Sequence, residues 1–167
     1  MLLGSTQNNN PSPDQELLTT QLLIQERYAE AYELLINRQS KTTTVLFNIS
    51  LCLHWSGNYQ GALAHLDLVN MEYAQISQNR KTDSNFERIK AKQNQTDDYL
   101  QGISESYLKH FPTSVQDAII RLKTNCWLNI GDFEKVIAVA NPISHKGFKD
   151  IEDALAVAKQ GIAKRDV

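Results

Sequence analysis

The sequence predicts an all-α protein built from antiparallel helix hairpins, and three observations carry that prediction. Strand signals are nearly absent: the 167 residues hold seven glycines and four prolines and show little alternation of apolar and polar residues. A 3.6-residue apolar periodicity recurs from residue 14 to the end. One motif also returns: "CLHWSGNYQGALA" (52–64) aligns with "CWLNIGDFEKVIA" (126–138) so that Cys, Gly and the final Ala coincide, 74 residues apart. That spacing is about two units of the mid-thirties length common in helical-hairpin repeats.

The elements follow in order. Residues 1–13, with "STQNNNPSP", are polar and turn-rich and are expected to be disordered. A first helix is predicted over 14–25, capped by Asp14 and carrying Leu17, Leu18, Leu22 and Leu23 as its apolar stripe. "ERYAEAYELL" (26–35) matches the repeated turn without its glycine, with Tyr28 for Tyr59 and Ala31 for Ala62, and starts a second helix over 28–38. Further pairs are predicted at 42–56 with 59–79, 84–95 with 97–111, and 114–130 with 133–141. The polar stretch 76–98 reads either as the first helix of a third unit or as a long excursion. A last helix over 149–164 places Ile151, Leu155, Ala158 and Ile162 on one face, suited to cover the end of a stack. The expected organisation is one domain, 14–167, with units at 14–40, 42–80, 82–114 and 115–146 and a capping helix.

The two motif copies resemble the tetratricopeptide repeat. In one unit the matching positions are Leu46, Ile49, Ser50, Leu53, Gly57, Tyr59, Ala62 and Leu66. In the other they are Ile120, Thr124, Trp127, Gly131, Phe133, Val136 and Ala140. Lys123 replaces an apolar residue, and Ser50 and Thr124 stand where the family usually has Gly or Ala. The resemblance implies a right-handed superhelix, an α-solenoid whose concave groove is lined by the first helix of each pair. Carried over by position, the groove residues are Thr44, Phe47, Asn48, Leu51, His54 and Trp55 in one unit, and Ala118, Arg121, Asn125, Leu128 and Asn129 in the other. In members that clamp a peptide's C-terminal carboxylate, a basic residue and an Asn occupy the places of Arg121 and Asn125. Here that pair falls in the last unit rather than the first, so the usual constellation is not expected, and a solvated polar face is the plainer reading. Phe47 is expected in the core. Trp55 reads equally as a groove anchor or as a contact with the neighbouring unit.

Composition narrows the function. With 41% hydrophobic residues, 22% charged residues and net charge −2, the chain reads as soluble and globular. Its 17 scattered Lys and Arg form no basic face for nucleic acid, and no run of 18 apolar residues predicts membrane insertion. The N-terminus lacks the pattern of a secretory signal, so a cytoplasmic location is expected. Cys52 and Cys126 occupy one repeat position and read as buried structural thiols. His54 and His65 have no Cys, Asp or Glu cluster to complete a metal site, and His110 and His145 are more isolated still. The glycines of "GNYQG" do not form a phosphate loop, and no nucleophile motif occurs. Neither catalysis nor a cofactor or metal is expected. The expected role is a scaffold or adaptor binding a peptide or helix of a partner protein in the groove, with the oligomeric state left open. The alternative is a dedicated chaperone or obligate subunit, as small tetratricopeptide proteins serve type III secretion. An RNA-binding repeat array ranks below both, because four units lack its regular basic code.

Overall fold

The structure is a computed structural model that describes residues 12–70 and 83–165. Among these residues there are nine α-helices and no strand. Three pairs are antiparallel hairpins: α1 (Pro13–Ile24) with α2 (Tyr28–Ile36), α3 (Thr43–Trp55) with α4 (Tyr59–Asp67), and, after α5 (Ser84–Gln93) and α6 (Glu105–His110), α7 (Pro112–Ile130) with α8 (Phe133–Ala140). The closing helix is α9 (Lys149–Arg165). Residues 1–11 and 166–167, including nearly all of the stretch expected to be disordered, lie outside the described residues, as do 71–82.

Local chemistry sets the helix ends. Ser12, rather than Asp14, caps α1: its hydroxyl accepts the Gln15 amide and Pro13 takes the first helical position, where no amide is needed. Thr42, Asn58 and Asp132 cap α3, α4 and α8 in the same manner. The first helices of all three hairpins close alike. After α3, Gly57 sits at φ +81°, its amide donating to His54 and the Asn58 amide donating to Leu53. After α7, Gly131 at φ +83° is followed by the Asp132 amide donating to Trp127. After α1, Glu26 takes the left-handed place at φ +58°, and the Arg27 amide donates to Leu22. This pairing of bonds satisfies carbonyls that a helix end leaves free.

The turn positions then register the packing. Ala31, Ala62 and Val136, each three residues past the turn aromatic, are fully buried, which lets second helices lie close to first ones. Ser50 and Thr124 are also buried, and each hydroxyl donates to a carbonyl one turn back in its own helix, so neither leaves an unpaired group. Lys123 reaches out to Asp67 at 2.8 Å.

The hairpin expected over 84–111 does not form. Helix α4 packs directly on α7, so the stack runs α1–α2–α3–α4–α7–α8–α9 and the described residues 83–111 loop out of it. The helix expected over 59–79 ends at Asp67, and its continuation past residue 70 lies outside the described residues. The helix expected over 97–111 is instead a 3-10 turn (Asp98–Leu100), an extended stretch at 101–104 and the short α6. No residue of α5 is buried. Its only large apolar residues, Phe86 and Ile89, make a stripe too narrow to seat it in the stack.

Candidate functional site

The first helices α1, α3 and α7 share an inner face, and the looped-out segment crosses it. Its entry is pinned to the turn before α9. The Lys149 amide donates to the Asn94 carbonyl at 3.0 Å, and Asn94 Nδ2 donates to the Lys146 carbonyl at 2.9 Å. The segment next meets α7 at Arg121, then α3 at Asn48, then α1 at Leu23.

Arg121 is 3% exposed and fully engaged. Its Nε and Nη2 form a fork on Asp150, with Nη2–Oδ1 at 2.7 Å, while Nη1 pairs with Asp98 and Nη2 also donates to the Thr96 carbonyl at 2.8 Å. The Tyr99 and Phe148 rings each have their centroid 4.5 Å from the guanidinium carbon. Burial alone would lower its pKa, but the bonds and charges of Asp150 and Asp98 outweigh burial and hold it above its ordinary value. Asn125 donates from Nδ2 to the Tyr99 hydroxyl at 3.0 Å. Its Oδ1 meets His54 Nε2 at 2.7 Å and accepts from Asn129 Nδ2 at 2.8 Å. Burial, aided by the charges of Asp150 and Asp97, raises the pKa of the Tyr99 hydroxyl.

On α3, the buried Asn48 pairs with the backbone of Ile103 in both directions: Nδ2 donates to the carbonyl at 2.8 Å and Oδ1 accepts the amide at 2.9 Å. Gly102 lies flat on α1, where a β-carbon would stand 2.5 Å from Leu23 Cδ1. The crossing ends where the Glu105 amide donates to Glu16 at 2.9 Å and Thr42 donates to Glu105 at 2.6 Å. A cavity of about 290 Å³ remains between the segment and α7, walled by Asp98, Tyr99, Ile103, Asp117, Arg121 and Phe148 among others.

The expected groove residues thus fall into three groups. Thr44 and Leu51 are buried, and Leu51 packs with Leu22, Leu23, Ile49 and Cys52 in the interior. Asn48 and Arg121 do lie on the face that residues 96–104 cross, and the chain's own segment occupies both. The open end holds His54, Asn125 and Asn129, linked by hydrogen bonds, and Trp55. Trp55 is 65% exposed and stacks on Tyr28 of the preceding hairpin, with ring centroids 4.9 Å apart. It therefore touches the neighbouring unit and still presents a free face. Phe47 is fully buried in the core. The partners Asp98, Tyr99, Ile103 and Asp150 were not legible as site residues, since Asp97-Asp98 reads locally as the acidic start of a helix.

Cys52 and Cys126 are free and buried, and burial pushes both thiols up to about 12. Among the described residues no group of three or more His, Cys, Asp or Glu is placed to hold a metal ion, and no helix is long and apolar enough to cross a membrane. Comparison with family models, curated proteins and solved structures finds no match to this chain.

Proposed function

We propose that this chain is a non-catalytic scaffold of tetratricopeptide-like hairpins that engages a segment of a partner protein on the inner face of α3 and α7. The observation that carries this reading is the open end of that face. An exposed tryptophan stacks on Tyr28, and the residue before it on α3 belongs to a hydrogen-bonded His54–Asn125–Asn129 cluster. An exposed large ring near polar groups already oriented is the composition of an interface anchor. The test is a photo-crosslinking substitution, Asn129→p-benzoylphenylalanine, in lysate of the source organism. A discrete protein adduct that disappears when Trp55→Ala is added supports the reading. No adduct at this position, or one indifferent to Trp55, removes it.

A second reading, an obligate subunit or dedicated chaperone, draws on α1. This first helix of the stack leaves Leu17, Leu18 and Ile24 exposed, as the end of a stack does when another chain continues it. A chain that stays monomeric and soluble as it is concentrated would count against that alternative.

A further inference from the structure

We propose that residues 96–104 are a built-in occupant of the inner face. The face receives in their place a segment of a partner protein bearing an acidic residue, an aromatic directly after it and a small residue three places further on. The proposal rests on reading the chain as a protein-binding scaffold.

The way the segment is held supports it. Asn48 reads only backbone, pairing with the amide and carbonyl of Ile103, and Arg121 takes the Thr96 carbonyl. Such contacts accept any extended chain. Three positions add side-chain selection. Arg121 takes the Asp98 carboxylate, the Tyr99 ring lies on the guanidinium with its hydroxyl on Asn125, and Leu23 leaves no room for a β-carbon at Gly102. Gln101 and Ser104 have extended backbone (ψ 147° and 162°), following the 3-10 turn that carries Asp98 and Tyr99, and Tyr99 and Ile103 are the buried residues of the segment.

The stack does not need the segment to be continuous. Helix α4 meets α7 directly, and neither flanking helix, α5 nor α6, buries a residue. Release would leave Arg121 paired with Asp150, so the guanidinium stays compensated and aimed at the vacated place. The core residues beneath Tyr99 and Ile103 would lose their cover, and an incoming segment of like chemistry restores it. The contacts exchanged are therefore alike in kind, and what an incoming segment must overcome is the effective concentration of the tethered one.

Native-state hydrogen exchange on the unmodified chain tests the first half. The Ile103 amide is expected to exchange at least tenfold faster than interior amides of α3 and α7. Equal protection would make the segment a fixed part of the core and overturn the proposal. Binding of a fluorescent peptide carrying residues 94–105 of this chain tests the second half. Full-length Tyr99→Ala, or Asp98→Ala if the former does not fold, is expected to bind it at least tenfold more tightly than wild type. Adding Asn48→Ala should abolish that binding. Failure of both variants to bind overturns the proposal, and so does a concentration-dependent dimer exchanging these segments, which would assign the face to a second copy. Protection at Ile103 with the Asn129 adduct intact counts against displacement alone. Peptide binding without the adduct counts against the scaffold reading.

Discussion

Asn48 and Ile103, 55 residues apart in sequence, form a closed pair in which one side-chain amide satisfies both polar groups of one backbone residue, at 2.8 and 2.9 Å. The pair is buried, so cutting it strands two groups at once. Asn48→Ala is expected to lower unfolding stability in urea by about 2 kcal/mol or more, and Asn48→Leu by no less, since neither supplies a donor or an acceptor. A loss below about 0.5 kcal/mol would mean that water replaces the side chain.

The three left-handed turns differ in what they ask of the residue. Gly57 has open space around its α-carbon, so Gly57→Val is opposed by backbone conformation alone and is expected to cost ~1 kcal/mol or more. Glu26 already bears that strain at φ +58°, so Glu26→Gly is expected to stabilise the protein, by about 0.5–1 kcal/mol in the same assay.

Gly161 sets propensity against packing. Alanine is the better helix former by ~1 kcal/mol, so sequence alone favours Gly161→Ala. A β-carbon there would fall on the Phe133 ring, within 2.8 Å of three of its atoms. The substitution is expected to destabilise by about 1–2 kcal/mol. Phe133→Leu should remove most of the added penalty in a double-mutant cycle.

Both thiols should be inert while folded. With Cys52 and Cys126 moved from 9.0 to about 12, thiolate at pH 8 is about a thousandfold scarcer than in the unfolded chain. A thiol-disulfide reagent should therefore react with neither until denaturant is added. The sign of the linkage follows. Above pH 9 the unfolded thiols lose protons that the folded ones keep. Their contribution to stability is full below pH 9 and falls as the pH rises towards about 12. Cys52→Ala with Cys126→Ala should flatten the alkaline limb of the stability curve. An unchanged slope would place its cause elsewhere.

Much of the fold was legible because its signals are local. A cap, a left-handed glycine, an aromatic and a small residue all act within one turn of each other. The hairpin around Gly131 therefore begins and ends within a few residues of where the pattern puts it, and the one around Gly57 begins and turns where expected although α4 stops at Asp67. Even the glycine-free copy at Glu26 closes its helix in the same way. The arrangement of residues 84–111 was not legible. The stretch 84–111 carries helix-like spacing, but nothing within it reveals that α4 already covers α7.

The inner face marks the same boundary. The sequence by itself determined an all-helical chain, the hairpin turns, the buried Cys52 and Cys126, and an inward stripe holding Asn48, Arg121 and Asn125. The tertiary structure alone decided which of those side chains are free. Arg121 is claimed from 23 and 29 residues away by Asp98 and Asp150, and Asn48 from 55 residues away by Ile103. Helical periodicity tells which way a side chain points. What it meets depends on where distant segments pack, and that follows from the burial of the whole chain.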